Sequence, residues 1–211
     1  MSRLICIEGG EGVGKTTFIT QLQKSIAANS RSLLLTRQPG GTDLSEKVRK
    51  IFLTSDDLSP LSELFLLLAD RRQHLLEIIK PALDNKQLIL CDRYHLSSRV
   101  YQGELGGLSS DVISQAIESL YLDVGHKYRP HLHILLDCDV SVSQQRLMER
   151  EKSVGGEITR FDQKSLDYHQ KIRQAYLKLI QQTDNHLVLD ASQDLSANVA
   201  KATQRIEQLL Q

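Results

Sequence analysis

The sequence has 211 residues, 40% of them hydrophobic, and its 26 lysines and arginines are balanced by 26 aspartates and glutamates. This length and apolar content predict one domain, residues 1–211, with room for a lid-like loop. A formal net charge of zero excludes the general basic excess of proteins that bind nucleic acid without regard to sequence, so no nucleic-acid partner is expected. A local basic pocket for a small anion stays open.

Hydropathy and cysteine content indicate the compartment. The longest apolar run, residues 64–69, is far too short to span a membrane, so no membrane partner is expected. A strand-like segment begins by about residue 3, which leaves no room for a signal peptide. Cys6, Cys91 and Cys138 lie in or beside apolar runs without metal-ligand spacing, as expected of core thiols in a reducing environment. We therefore expect a cytoplasmic protein.

The first predicted strand, residues 4–7, leads into a glycine-rich segment, residues 9–16, that fits the phosphate-binding pattern G-x-x-x-x-G-K-[ST], the P-loop. A helix is predicted directly afterwards, over residues 17–28. Glycines let backbone N–H groups face phosphate oxygens, and the helix N-terminus adds the positive end of its dipole. Lys15 is expected to reach the β- and γ-phosphates and the Thr16 hydroxyl to ligate Mg²⁺. The nucleotide-binding residues predicted here are Gly9, Gly10, Glu11, Gly12, Val13, Gly14, Lys15, Thr16 and Thr17.

Beyond that helix, short apolar runs alternate with helical patterns along the rest of the chain. The later strands are predicted at residues 32–36, 87–91, 132–136 and 186–189. This alternation predicts an α/β fold, a five-stranded parallel sheet with helices on both faces. Ligands of such sheets bind at the carboxyl ends of the strands, where the P-loop, Arg37, Asp92, Arg93 and Asp137 fall.

Three local features carry further expectations. Residues 64–68 are apolar all round a long helix, so that turn should be enclosed on all sides or pack against a partner chain. Pro81, near the end of the same helix, should kink or shorten it. The segment from Glu151 to Thr159 contains adjacent glycines and several charges, which is typical of a mobile loop.

A P-loop by itself leaves nucleotide switches, motors and transferases open. A GTPase switch would carry D-x-x-G at a strand end and an N-K-x-D base-reading motif, and neither is in place. The chain instead has arginines at strand ends and around the predicted loop. That pattern favours chemistry on a second anion.

Three further segments resemble the successive signatures of the thymidylate kinases: TRQPGGT at 36–42, ADRRQH at 69–74 and DRYHLSSRVYQG at 92–103. The C-terminal half is similar more loosely, through its arginines and RFD at 160–162. The resemblance implies a P-loop nucleoside monophosphate kinase with a short mobile lid at about 146–160. It also implies that ATP phosphorylates dTMP with Mg²⁺ present, giving dTDP and ADP, and that the chain forms a homodimer through helices.

An acceptor phosphate is already ionised at neutral pH, so the chemistry needs cations and a water-excluding lid and no catalytic base. By resemblance, Arg93 bridges the donor and acceptor phosphates, and Asp92 holds Mg²⁺ through water. Arg146 stacks on adenine. A structural ion pair for Arg93 and a solvated charged helix for the lid arginines are the alternatives. The predicted catalytic residues are Lys15, Arg93, Arg150 and Arg160.

The acceptor site is also inferred by resemblance. Arg37 grips the acceptor phosphate, Arg71 reads a thymine carbonyl, Ser98 hydrogen-bonds the pyrimidine edge, Tyr101 packs under the sugar, Gln102 is a weaker candidate, and Glu11 faces the 3′-hydroxyl. For Arg71 the alternative is a surface salt bridge with Asp70 or Glu77. Helix packing is the alternative for the residues after position 97.

The chain departs from the family pattern at the base-stacking position. Four residues before Arg71 the family usually has phenylalanine, whereas this chain has Leu67. Leucine can cover a base face but loses an aromatic stacking contribution of about 1 kcal/mol. Phe65 is about 200° away around the helix and cannot substitute for it. A kinase with a different base preference is therefore the close alternative, and a P-loop ATPase or switch without an acceptor is the distant one.

Overall fold

The computed structural model describes residues 2–27, 32–153 and 159–211. Within these ranges the five strands form one all-parallel sheet in the order β2-β3-β1-β4-β5, which confirms the predicted α/β architecture. The strands are β1 (Arg3–Glu8), β2 (Leu33–Arg37), β3 (Leu88–Asp92), β4 (Leu132–Asp137) and β5 (His186–Asp190).

Helices connect the strands and cover both faces of the sheet. They are α1 (Lys15–Ala27), α2 (Asp43–Thr54), α3 (Pro60–His74), α4 (Lys80–Asp84), α5 (His95–Ser98), α6 (Ser110–Ser119), α7 (Val140–Ser153), α8 (Leu166–Ile180) and α9 (Leu195–Leu210). π-helical turns at Leu75–Ile79 and Arg99–Leu105 follow α3 and α5, and a 3₁₀ turn at His126–Tyr128 precedes β4. No helix in the described ranges is long and apolar enough to cross a bilayer.

Alternate side chains of the central strand, β1, belong to two separate hydrophobic cores. Ile5 and Ile7 of β1 pack with residues of α1 and α9, whereas Leu4 and Cys6 pack with residues of α3, α4 and α6. Successive strand side chains point to opposite faces, so one fully buried strand supplies both layers. Because β1 lies between β3 and β4, the P-loop that follows it emerges at the middle of the sheet edge.

The helix that contains Pro81 differs from one of the two outcomes predicted for it, a shortened helix. It is not shortened at that residue: a π-helical turn links α3 to α4, and α4 runs on to Asp84. The Lys80 N–H donates to the Leu75 carbonyl, five residues back rather than four. A wider turn shifts the carbonyls away from the proline ring, with which the carbonyl four residues earlier would otherwise clash.

The apolar turn at residues 64–68 is not enclosed on all sides. Leu64 and Leu67 are buried, but Phe65 is 61% exposed. The first of the two expectations for this turn is therefore wrong, because one side of α3 faces away from the core. Contact with a partner chain stays a prediction. Most of the expected mobile loop, residues 154–158, lies outside the described residues.

Candidate active site

A cleft of about 700 Å³ opens at the carboxyl ends of β1, β3 and β4. It brings together most of the residues predicted from sequence: Glu11, Gly12, Val13, Gly14, Lys15, Thr16, Thr17, Leu67, Arg71, Asp92, Arg93, Ser98, Tyr101, Gln102, Arg146 and Arg150. The other four predicted residues, all in the described part of the chain, do not line it: Gly9, Gly10, Arg37 and Arg160.

The P-loop has a backbone that only glycine tolerates at several positions. Gly9, Gly12 and Gly14 have φ values of +145°, +73° and +95°. A Cβ at Gly9 would lie 2.6 Å from the Leu136 carbonyl oxygen, and one at Gly12 would collide with the Ser143 carbonyl oxygen of α7. The loop is therefore pressed against β4 and α7, and its N–H groups are held around the cleft.

Lys15 folds back over its own loop. Its Nζ donates to the carbonyl oxygens of Gly9 at 2.9 Å and Gly10 at 2.7 Å. Burial, followed by repulsion from Arg93, lowers the pKa of Lys15 to about 8. Both effects disfavour the charged form, and the negative charge of a polyanion in the cleft would offset them. Thr16 is exposed at the start of α1 and lines the same cleft.

Arg93 stands directly after β3 with a φ of +67°, in the left-handed region that non-glycine residues rarely adopt. Its guanidinium donates to the Glu11 carboxylate at 2.9 Å and to the Tyr176 hydroxyl at 2.9 Å. Longer contacts of 3.4 Å reach the hydroxyls of Ser97 and Tyr101. These contacts stabilise the strained backbone of Arg93. They also hold its guanidinium across the cleft from β3 to the P-loop.

The side chains of Asp92 and Thr16 are suited to binding a divalent cation. Asp92 has a buried carboxylate oxygen, Oδ1, without a hydrogen-bond partner among the described residues, and the side chain lines the cleft with Thr16. Its charge acts on Lys15. A buried carboxylate oxygen left unpaired is costly unless an ion or water satisfies it. A carboxylate with a hydroxyl is a donor set that Mg²⁺ accepts.

Arg71 forms the buried wall of the other end of the cleft. It is only 2% exposed, so it does not form the surface salt bridge that was its alternative interpretation. Its Nε donates to the Gln38 side-chain carbonyl at 2.7 Å, and its terminal nitrogens donate to the Ser98 hydroxyl at 3.2 Å. Leu67, one turn earlier on α3, is buried and lines the same cleft.

Tyr101 connects this end to the P-loop. Its hydroxyl donates to Glu11 at 2.5 Å, on the same carboxylate oxygen that accepts from Arg93. Its ring packs edge-on against Phe161 with centroids 5.4 Å apart. Glu11 therefore accepts hydrogen bonds from both Arg93 and Tyr101, and its predicted contact with a sugar hydroxyl stays a prediction.

Two of the three arginines of the predicted lid line the cleft, and the third does not. Arg146 donates to the carbonyls of Val13 at 3.1 Å and Ala191 at 2.8 Å. Arg150 pairs with Asp162 at 3.0 Å. Arg160 pairs instead with Glu63 on α3 and lies against the ring of Phe161. Its position differs from the expectation of a lid arginine over ATP.

Arg37 is not at the cleft either. Half of its side chain is exposed, and it pairs with Glu46 at 2.9 Å. Arg49, by contrast, lines the cleft and donates to the Pro39 carbonyl at 3.1 Å. Sequence reasoning missed Arg49, because α2 showed no signal beyond its apolar face.

Two carboxylates were also missed. Glu8, the last residue of β1, is fully buried and accepts from the Tyr94 N–H at 2.8 Å and the Ser97 hydroxyl at 2.7 Å. Burial raises the pKa of Glu8. The sequence did contain a signal for Glu8, since this acidic residue directly follows the apolar run of β1. Glu63 contacts Gln102 and Arg160, and no local pattern marked it.

Comparison with known proteins agrees with this arrangement. The family model described as thymidylate kinase matches residues 7–202. The chain is 39% identical to the thymidylate kinase of Magnetococcus marinus over 97% of this chain and 95% of that protein. It is 39% identical to the enzyme of Chlamydia abortus over 93% and 92%, and 40% identical to that of Syntrophotalea carbinolica over 91% and 89%. Because the family model and these relatives cover most of its length, the chain belongs to the thymidylate kinase family.

Proposed function

We propose that this protein transfers the γ-phosphoryl group of ATP to dTMP, giving dTDP and ADP. The position of Arg93 carries the proposal. Its guanidinium lies between the P-loop, where a donor phosphate binds, and the pocket of Arg71, where an acceptor fits. A forked guanidinium can contact phosphate oxygens on both sides of the transferred group.

On the donor side, the P-loop N–H groups and Lys15 bind the β- and γ-phosphates, and Arg146 borders the adenosine end near Ala191. Thr16 and Asp92 hold Mg²⁺, which neutralises charge on the β- and γ-phosphate oxygens when bound. Gly9 and Gly10 contribute through the backbone, because their carbonyls keep Lys15 over the loop.

On the acceptor side, Arg71 and Ser98 face the edge of the base, and Leu67 covers its ring. Tyr101 and Glu11 border the sugar. Arg93 exchanges its contacts with Tyr176 and Ser97 for phosphate oxygens as the acceptor arrives. No residue has to remove a proton, because the attacking phosphate oxygen is already ionised.

The proposed lid, at about 146–160, supplies the remaining positive charge for the transferred phosphoryl group. Arg150 is 48% exposed in its side chain and lines the cleft, so it can turn toward the transferred phosphoryl group on closure. For Arg160 we propose a positioning role, because its guanidinium is engaged by Glu63. Arg37 would reach the acceptor phosphate only after leaving Glu46.

We also propose that the chain forms a homodimer through α3 and α6. Leu61 and Phe65 on α3 are 40% and 61% exposed, and Val112 on α6 is 44% exposed. Exposed apolar side chains on neighbouring helices are typical of subunit contacts. A cytoplasmic location is supported by three free, buried cysteines. Burial raises the pKa of Cys6 and Cys91 well above the usual value, which keeps them as unreactive thiols.

The function is tested by acceptor dependence. We expect ADP release from Mg-ATP to require a nucleoside monophosphate and to be fastest with dTMP. A coupled ADP assay over dTMP, dUMP, dCMP, dGMP and the ribonucleotides measures this. ATP turnover that is the same with and without every monophosphate would remove the kinase function. Faster turnover of dUMP or dGMP would support the second candidate, a different base preference, which Leu67 favours.

Restoring an aromatic ring at the base position should strengthen binding. Leu67→Phe is expected to lower the KM for dTMP about fivefold, because stacking adds about 1 kcal/mol. Steady-state kinetics at saturating ATP measure the change. Leu66→Phe, a half-buried neighbour that does not line the cleft, is the matched control and should leave the KM unchanged. A lower melting temperature without a change in KM would assign Leu67 to the core.

A further inference from the structure

Glu63 divides its two carboxylate oxygens between two elements of the site. Oε2 accepts from the Gln102 side-chain nitrogen at 2.8 Å, and Oε1 accepts from the Arg160 guanidinium. The Glu63 and Arg160 side chains are only 12% and 13% exposed. One carboxylate on α3 thus touches both the base pocket and the segment that follows α7.

This contact determines which way the Gln102 amide points. Paired with a guanidinium, Glu63 is a carboxylate, and a carboxylate only accepts hydrogen bonds. The NH₂ group of Gln102 must therefore face Glu63, and its carbonyl oxygen must face elsewhere. That oxygen is buried and has no partner in the described part of the chain, while Gln102 itself is fully buried and lines the cleft. A buried acceptor without a donor is costly unless a ligand supplies one.

The residues around this oxygen form two facing rows. Glu63, Leu67 and Arg71 recur every four residues on α3, and Ser98 and Gln102 are four apart on α5 and its π-helical extension. Arg71 contacts Ser98 at one end, and Glu63 contacts Gln102 at the other. The pocket between the rows therefore offers hydrogen-bond donors at the Arg71 end and one oriented acceptor at the Gln102 end.

That order of groups matches one kind of pyrimidine edge. Thymine and uracil carry a carbonyl at position 4, which accepts, beside an N–H at position 3, which donates. Cytosine carries an amino group at position 4 and a bare nitrogen at position 3, so it would oppose donor to donor and acceptor to acceptor. Mismatched buried polar groups discriminate strongly between otherwise similar ligands.

We propose that Glu63 is a positioning residue that locks the Gln102 amide, so that the site takes monophosphates with a ring N–H beside a carbonyl and rejects cytosine. This inference rests on the proposed function of the cleft. It assigns base selection to an α3 carboxylate that does not itself line the cleft. Because uracil presents the same ring N–H and position-4 carbonyl as thymine, Glu63 does not separate dTMP from dUMP.

The test is Glu63→Gln, whose side-chain amide can also donate. The Gln102 amide is then free to rotate and offer its NH₂ to cytosine. We expect the kcat/KM ratio of dTMP to dCMP to fall about tenfold, whereas the ratio of dTMP to dUMP stays within twofold. Glu104→Gln is the matched control, since it removes only an exposed pair with Lys178, and it should alter neither ratio.

Two further variants separate the amide from the ion pair. Arg160→Met removes the ion pair but leaves Glu63 beside Gln102, so the dTMP to dCMP ratio should be retained. If it falls as far as in Glu63→Gln, lid contact sets the ratio and the inference is wrong. Gln102→Met serves as the test if Glu63→Gln does not fold. It should lower kcat/KM for dTMP and dUMP about tenfold and leave kcat/KM for dCMP unchanged. Equal losses on all three would also overturn the inference.

The outcome for the wild-type protein distinguishes the inference from the function on which it rests. A wild type that prefers dTMP, with an unchanged ratio in Glu63→Gln, contradicts the role of Glu63 and leaves the kinase assignment intact. A wild type that phosphorylates neither pyrimidine contradicts the proposed function itself, and the inference with it.

Discussion

Replacing Arg93 by lysine is expected to lower kcat for phosphoryl transfer about a thousandfold, the scale known for arginines that stabilise a transferred phosphoryl group. Lysine keeps the charge but lacks the fork that reaches Glu11 and Tyr176 together. It also cannot contact oxygens of two phosphates at once. Single-turnover kinetics with saturating Mg-ATP and dTMP measure the chemical step directly.

Binding should change much less than the rate in this variant, because Lys15 and Arg71 remain in place. The control is Arg129→Lys, which alters an arginine paired with Glu118 outside the cleft, and its kcat should match the wild type. Were Arg93→Lys to keep at least a tenth of the wild-type kcat, Arg93 would be the structural ion pair that sequence reasoning left as its alternative.

ATP affinity is expected to weaken above pH 8 in the wild type and to show no such dependence in Lys15→Met. In the free protein the pKa of Lys15 is lowered to about 8 by burial and by Arg93, so the ammonium loses its proton as pH rises through that value. Bound phosphates favour the protonated form, which means that binding above pH 8 requires proton uptake. The Kd should therefore rise by up to tenfold per pH unit.

The same substitution should reduce kcat/KM for ATP about a hundredfold at pH 7.5, since it removes a preorganised donor to the phosphates. Titration calorimetry between pH 7.5 and 9.5 gives the Kd values, and Lys178→Met, an exposed pair with Glu104, is the control. A wild-type Kd that is flat over this range would mean that Lys15 keeps its proton in the free protein.

Much of this site was predictable because its determinants are local in sequence. The P-loop pattern, the strand before it and the helix after it share one short segment, and parallel topology forces the strand ends that carry Asp92 and Arg93 to the same edge. The five strands were predicted because each is a short apolar run between helical patterns. Family resemblance added the pocket of Arg71, which the structure shows to be buried.

What could not be predicted depends on contacts between distant segments. Arg160 and Glu63 are 97 positions apart, and no periodicity links a lid residue to the start of α3. The exposure of Phe65 follows from how α3 rests on the sheet, which its composition does not encode. The π-helical turn before Pro81 is a local response to a missing N–H and a ring clash, and it is an outcome that the sequence analysis, which expected a kink or a shortened helix, did not include.

The contact between Gly12 and α7 limits how the proposed lid could move. Since the Ser143 carbonyl lies where a Gly12 side chain would be, the first turn of α7 cannot approach the P-loop further without steric overlap. Closure of the proposed lid would then come from the part of α7 after Ser143, which carries Arg146 and Arg150. Donor-phosphate geometry would be conserved between open and closed conformations, and inhibitors that trap the open form would leave the P-loop undistorted.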